Sequence, residues 1–364
     1  MRRLDNQATR LEHGADETFR DERGEVAATY KDIRRLTGLS LATISKYFNG
    51  GNVLRANRVL IETAVGDLGY QVNDFARGLR SRRSRTLGIV MAELNSTFNT
   101  TIVSDMVERL RKAGYGAIIS DSRGSAEAEA EAIHFLLGKM VDGLVIIPVG
   151  DQVAGLDAAR DRGIPVIAVD RPIAASVADA VVVDNRAAVG SAVDLLIRAG
   201  HTEVALLAGP DAMFTMRERR IGFRDAVRSA TGQQPRPELT QPDEASIEGG
   251  YRGIQRLGGL AAAPTAVICA NYEFTLGATM ALNELGPDVP RPAIVGFDNL
   301  DLSRIIRPRP SLVVQPVSEI AARAAELVLG RIEGDLLGEP RTVVLHTELV
   351  VGDRSTLAPP GGIA

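Results

Sequence analysis

Short unbroken apolar runs and longer amphipathic ones alternate along most of this chain. The runs are Leu87–Met91, Ala117–Ser120, Gly143–Pro148, Val166–Val169, Ala180–Val183, Val204–Leu207, Ala266–Cys269 and Ala293–Phe297. Between most of them lie stretches of helical spacing, among them Ile102–Ala113, Ala126–Lys139, Ala187–Ala199, Arg217–Ala230 and Phe274–Leu285. A strand that is apolar at every position is covered on both faces. The alternation therefore predicts parallel sheets with helices on either side. Two such sets in succession predict an α/β core of two lobes.

Upstream of Thr86 the pattern is helical only. Asp32 to Leu36 forms one short helix with Ile33 and Leu36 on its inner face. Thr37-Gly38-Leu39 makes a tight turn, for which Gly38 supplies the backbone freedom. Ser40 is a natural N-cap for a second helix that buries Ile44, Tyr47 and Phe48. Leu41, Ala42, Ser45 and Lys46 then face outward near its start, the geometry of a helix-turn-helix. Taken alone, this segment fits an ordinary αα-hairpin equally well. A third helix is predicted from Asn57 to Leu68, with Ile61, Ala64, Val65 and Leu68 inside. Leu54 cannot cap it, so Asn57 is the expected cap, and Gly66 within it costs roughly 1 kcal/mol relative to Ala. Asn73 to Arg80 could form one more helix, but isolated helices shorter than ~12–15 residues are marginal in water. The segment is expected to fold only against a partner. Met1 to about Val26 is polar without periodicity and is expected to be a disordered extension.

Composition sharpens this picture. A chain of 364 residues with 45% hydrophobic content suits two or three domains with real cores. No run approaches the ~18 apolar residues of a membrane helix. Nor is there a basic-plus-apolar leader with a cleavage site, so a cytoplasmic protein is expected. One cysteine, Cys269, fits a reducing compartment. The formal charge is −4, yet Ala28–Arg85 carries eleven basic residues against four acidic ones, an excess of seven. Such a local footprint reads as a nucleic-acid-binding head on a body with another task.

Catalytic motifs are missing. There is no Gly-x-Ser-x-Gly elbow, no Gly-x-x-x-x-Gly-Lys loop and no Gly-x-Gly-x-x-Gly after a strand. His13, His134, His201 and His346 lack metal-ligand spacing, and His201, after Gly200 at a helix end, reads as structural. Cys269 reads as a small buried hydrophobe. No enzyme, metal or cofactor is expected.

Six ordered motifs break the tie over the hairpin. They are Lys31-Asp32-Ile33, Gly38 through Lys46, Phe48-Asn49-Gly50, Leu68-Gly69-Tyr70, Asn73 through Leu79, and Arg85 through Val90. Further markers are Val141-Asp142-Gly143, Ile164-Pro165-Val166, Asp184-Asn185, Gly200-His201, Arg219 with Gly222-Phe223, Val295-Gly296-Phe297-Asp298, and Asp353-Arg354-Ser355-Thr356. On these residues the chain resembles the lactose-repressor/galactose-repressor family of bacterial transcription regulators, from Lys31 to about Thr356. The resemblance implies an all-α helix-turn-helix head over 28–72 and a hinge helix and linker over 73–85. It implies a two-lobed, periplasmic-binding-protein-like core over 86–357, between an extension at 1–27 and a tail at 358–364. No heptad repeat follows Thr356, so a tetramerising coiled coil is absent and a homodimer is expected.

The resemblance also implies site residues. Ser40, Leu41, Ala42, Thr43, Ser45, Lys46 and Asn49 would meet double-stranded operator DNA, with Lys46 suited to guanine O6 and N7. Arg55 and Arg58 would hold phosphates. Asn73, Ala76, Leu79 and Arg80 would lie at the minor groove, with Leu79 as a wedge. Ser96, Phe98, Asp170, Arg219, Asn271 and Asp298 would line an effector cleft, since ligands of parallel α/β sheets sit beyond the carboxyl ends of strands. Two carboxylates, a guanidinium, an amide and one aromatic suit a polyhydroxylated, sugar-like effector, with a purine as runner-up. Asp184 and Asn185 read as helix-start residues. Four places depart from the family pattern: Arg34, Leu54-Arg55-Ala56, Ser96-Thr97-Phe98-Asn99 and Tyr272-Glu273. The competing classes are a sugar-binding receptor of a transport system and a sugar-processing enzyme.

Overall fold

The computed structural model of the chain describes residues 28–48, 50–70, 83–173, 178–286, 289–298 and 306–359. The chain divides into two compact units, Met1–Arg77 and Gly78–Ala364.

The described residues of the first unit form the helices α1 (Tyr30–Thr37), α2 (Leu41–Phe48) and α3 (Arg55–Asp67). Asp32 opens α1 by accepting from the Thr29 amide at 2.9 Å and its hydroxyl at 2.8 Å. Gly38 closes it in a left-handed conformation, φ 68°, its N–H donating to the Arg34 carbonyl at 2.8 Å. Ile33, Ile44, Ile61 and Ala64 form the small core. The Leu36 expectation is corrected: its side chain is 54% exposed. Aromatic rings fill the space it was expected to occupy. Tyr30 stacks on Phe48 at 5.1 Å, and Tyr70 tilts against both. The start of α3 is corrected too. It begins at Arg55, with Leu54 in the cap position offering no capping hydrogen bond and 75% exposed.

The second unit contains two six-stranded sheets of like design. The strands of the first are β1 (Thr86–Met91), β2 (Gly116–Asp121), β3 (Gly143–Ile147), β4 (Val166–Val169), β5 (Asp179–Val183) and β11 (Thr342–Leu345), in the order β2-β1-β3-β4-β5-β11. Those of the second are β6 (Val204–Ala208), β7 (Thr240–Pro242), β8 (Ala266–Cys269), β9 (Ala293–Phe297), β10 (Ser311–Val314) and β12 (Glu348–Val350), in the order β7-β6-β8-β9-β10-β12. Only the β10–β12 pairing is antiparallel. Every residue of β3, β4, β5, β6, β8 and β9 is buried, as unbroken apolar runs require.

Helices cover both faces of each sheet. The first lobe carries α4 (Thr97–Lys112), α5 (Ala126–Gly138) and α6 (Leu156–Asp161). The second carries α7 (Asn185–Arg198), α8 (Phe214–Thr231), α9 (Ile247–Gly258) and α10 (Tyr272–Asn283). Phe223, Phe274 and Phe297 are fully buried in the second lobe, each such side chain contributing ~1.5–3 kcal/mol of transfer free energy. There α9 and α10 meet so closely that a Cβ on Gly277 would overlap the Ile247 carbonyl oxygen.

Neither lobe is one continuous stretch. After β5 the chain passes to α7 in the second lobe, and after β10 it returns to the first as α11 (Val317–Glu333). Ile320, Ala321, Ala324 and Val328 of that helix join Leu87, Ile89 and Val145 in one core. After β11 the chain crosses once more to β12. The first and last of these crossovers are tied together. The Asp184 carboxylate accepts from the Thr347 amide and hydroxyl, both at 3.0 Å, and lies 2.8 Å from His346 Nδ1. No helix among the described residues is long and apolar enough to cross a membrane.

Candidate functional site

In the first unit, Ser40 caps α2 as expected, its hydroxyl accepting from the Thr43 N–H at 3.1 Å. Leu41, Ala42 and Lys46 are exposed along one side of that helix, while Thr43 and Ser45 are half-buried. Arg55 and Arg58 are exposed on α3. The Arg58 guanidinium lies 5.5 Å from the centre of the Tyr47 ring, and the Tyr47 hydroxyl donates to Glu62 at 3.1 Å. The ring therefore fixes the base of the Arg58 charge beside the exposed face of α2. Asn49, Asn73, Ala76, Leu79 and Arg80 lie outside the described residues, as do the extension and most of the hinge segment.

The second site sits beyond the carboxyl ends of the strands, where a doubly wound sheet leaves a crevice. Arg219 is its centre. Rather than starting a helix as expected, it sits inside α8, in the second turn, and only 3% of it is exposed. Its Nε donates to Asn185 Oδ1 at 2.8 Å, one Nη to the Ala270 carbonyl, and the other to Gln315 Oε1 at 3.3 Å. The same guanidinium lies 4.1 Å from the centre of the Phe297 ring. Burial works against its charge, and the nearby carboxylates Asp298 and Asp170 support it. Gln315 carries the network onward, its Nε2 donating to both carboxylate oxygens of Asp298 at 2.9 and 2.8 Å. Burial pushes the Asp298 carboxyl up to about 6, against the opposing pull of Arg219 and Gln315.

From the first lobe comes Asp170. Its carboxylate accepts from Arg171 Nε at 3.2 Å and a terminal nitrogen at 2.9 Å. Arg171 is itself buried and donates to the Val149 carbonyl at 3.2 Å. Behind it Glu129 accepts from the Val149 N–H at 2.8 Å, and burial raises its carboxyl. Glu273 lies near enough to feel both Asp298 and Glu93 of the other lobe. Burial first, then those two negative charges, raise its carboxyl.

The remaining expected residues take quieter places. Ser96 Oγ caps α4, accepting from the Asn99 N–H at 3.5 Å. Phe98, the second residue of that helix, is half-buried against the first lobe's core. Asn271 caps α10 through its Oδ1, which accepts from the Phe274 N–H at 2.8 Å, leaving its NH2 to face outward chemistry. Asp184 and Asn185 stand at the start of α7 as expected, but their side chains are used elsewhere. Asn185 belongs to the Arg219 network, and Asp184 ties two crossovers together instead of capping α7. His201 is structural, its ring bridging Thr265 Oγ1 at 2.8 Å and the Leu357 carbonyl at 2.9 Å. Sequence reasoning missed Arg171, Gln315 and Glu129. Arg171 carried a usable signal, since it directly follows Asp170 at the end of an apolar strand.

Among the described residues no group of three or more His, Cys, Asp or Glu side chains could hold a metal ion. The arrangement offers acceptors and donors to a polar molecule, while the N–H groups of both buried arginines already meet protein acceptors.

A basic helix-turn-helix unit in one chain with a two-lobed α/β core around a polar cleft defines a DNA-binding regulator that responds to a small molecule. The sequence model of the periplasmic binding protein-like domain matches residues 193–355. The ribose operon repressor of Haemophilus influenzae is 28% identical over 326 residues, 89% of this chain and 97% of that protein. The lac repressor dimer bound to operator and an anti-inducer is 25% identical, with a TM-score of 0.80 over 91% of this chain and all of that one. The regulator CelR in complex with cellobiose is 27% identical, with a TM-score of 0.67 over 89% of this chain and 99% of its own. Along nearly its whole length the chain is thus similar to transcriptional repressors of the lactose-repressor/galactose-repressor type.

Proposed function

We propose that this regulator represses an operon for carbohydrate uptake or catabolism, binding a pseudo-palindromic operator as a homodimer. Leu41, Ala42 and Lys46 read bases, with Ser40, Thr43, Ser45 and Asn49 beside them, and Arg55 and Arg58 hold phosphates. Asn73, Ala76, Leu79 and Arg80 contact the minor groove at the operator centre. One short recognition helix reads few base pairs, so useful specificity needs two half-sites.

The effector on this reading is a sugar-like molecule held by Asp170, Asp298, Arg219 and Asn271, with Ser96 and Phe98 at the rim. One observation carries it: Arg219 and Asp298 are joined through Gln315, which lies at a crossover, and Arg219 also bonds Asn185 at another. A ligand that engages this carboxylate therefore pulls on the connections between the lobes. The effector changes DNA affinity only by its differential affinity for the two states, typically ~1–3 kcal/mol of coupling.

Calorimetric titration with a panel of sugars and purines, followed by operator gel shifts with each binder, tests the reading. A sugar that binds and shifts operator affinity is the expected result. Purine binding with no sugar binding would overturn the effector class, and failure to select any operator from random duplexes would overturn the DNA role.

A further inference from the structure

Asp151 and Arg217 form an ion pair between the lobes at a place the effector network does not use. Asp151 lies in the loop after β3, and Arg217 in the first turn of α8. A terminal nitrogen of Arg217 donates to Asp151 Oδ2 at 2.8 Å. Its other terminal nitrogen donates to the Asp211 carbonyl at 2.8 Å, and its guanidinium lies 5.6 Å from the Phe214 ring centre. The arginine is thus fixed within its own lobe before it reaches the other. Asp151 Oδ1 is shielded from water and accepts no hydrogen bond, and one turn further along α8 the Nε of Arg220 is shielded without an acceptor.

The position gives this pair leverage. The crossovers leave the sheets at β5 and β11 in one lobe and at β10 and β12 in the other. Along the sheets, β3 stands two strands from β5, and β6, which leads into α8, stands three strands from β10. With neighbouring strands 4.7–4.9 Å apart, the lever arm is on the order of 10–15 Å. A contact that far from the hinge sets the angle between the lobes more firmly than one beside it.

We propose that Asp151 and Arg217 are positioning residues that latch the two lobes shut across the cleft, with nothing bound between them. They share no hydrogen bond with the Arg219–Gln315–Asp298 network. They hold Asp170 on one lobe and Asp298 on the other at the separation a ligand meets. Part of the free energy of closure then comes from the protein itself, and it weakens in salt because both side chains are about one-third exposed.

The test measures lobe separation directly in full-length, ligand-free protein, without operator or effector, so its result is independent of the proposed function. Spin labels are placed through Arg160→Cys on α6 and Arg228→Cys on α8, and labelled chains are diluted with unlabelled protein so that only distances within one chain are read. Arg217→Ala and the shape-preserving Asp151→Asn are each expected to lengthen and broaden the label distance, as is molar salt on the unaltered pair. The charge-reversed double variant, Asp151→Arg with Arg217→Asp, is expected to restore the short distance, which a purely structural defect would not allow. A distance distribution unchanged in both single variants overturns the latch, and so does a double variant that stays open.

Discussion

Asp170 and Asp298 occupy the same position in the two lobes. Each directly follows the fourth strand of its lobe, and each adopts a left-handed backbone, φ 71° and 59°. Each donates its N–H to the fifth strand, Asp170 to the Val181 carbonyl at 2.9 Å and Asp298 to that of Val313 at 2.8 Å. Aspartate tolerates this conformation better than most residues, and such backbone persists where surrounding structure holds it. The partners differ. Asp170 meets the cation Arg171, whereas Asp298 meets the neutral amide of Gln315.

Burial makes Asp298 sensitive to pH. Its folded carboxyl is raised to about 6 from an ordinary 3.8. Its contribution to stability is therefore fully present below about pH 4 and lost as pH rises through about 6, at a cost of about 3 kcal/mol at neutrality. Asp298→Asn keeps an acceptor for Gln315 and removes the charge. Chemical denaturation from pH 4.5 to 7.5 should show a stability slope in the parent chain that is flattened in the variant. Equal slopes would mean that the carboxyl is not raised by burial.

Gln315→Leu removes one acceptor from Arg219 and one donor from Asp298 while keeping the volume. Two buried groups then lack a partner, and each such loss costs about 1–3 kcal/mol. A fall of about 2–4 kcal/mol in the core's unfolding free energy is expected. A change under 1 kcal/mol would show that water replaces the amide without penalty.

Gly277→Ala sets a methyl group against the Ile247 carbonyl where α9 and α10 cross. Neither backbone can retreat cheaply, so a loss of about 3 kcal/mol or more is expected, beyond the usual cost of overpacking. Amide exchange should rise across the second lobe and stay unchanged in α1–α3, which belong to the other compact unit.

Leu54→Ser supplies the cap that α3 lacks. A capping hydroxyl contributes about 1 kcal/mol, so amide exchange in α3 should slow several-fold. Ser40→Ala should have the opposite effect on α2. If neither moves, the caps are already replaced by backbone or solvent.

Lys46→Ala is expected to cost about 1–3 kcal/mol of operator affinity and to relax preference at one base pair per half-site. Loss spread evenly over all sequences would place Lys46 on a phosphate.

The fold was legible wherever burial was complete. Seven of the eight strands noticed in the sequence stand out because both faces are covered, and the eighth, β2, is apolar but half exposed at its sheet's edge. The strands that escaped notice are β7, β10, β11 and β12. Three of them, β7, β11 and β12, lie at sheet edges, where Thr342 and Glu348 face solvent and break the apolar run. Motif matching located Asp170, Arg219 and Asp298, but it could not reveal what each side chain bonds. Gln315 and Asn185 became visible only when the crossovers brought residues far apart in the chain together. Leu36 misled for a different reason: helical spacing marks a face but not which aromatic rings will claim the interior.

The interleaving of the lobes has a genetic corollary. The first lobe lacks its covering helix α11 and its strand β11 until the ribosome has passed Leu345, long after its other five strands are made. A nonsense or frameshift lesion anywhere before that codon therefore removes parts of both lobes at once. Alleles truncated between Val317 and Leu345 should behave as full losses, and no product so shortened should retain a working half.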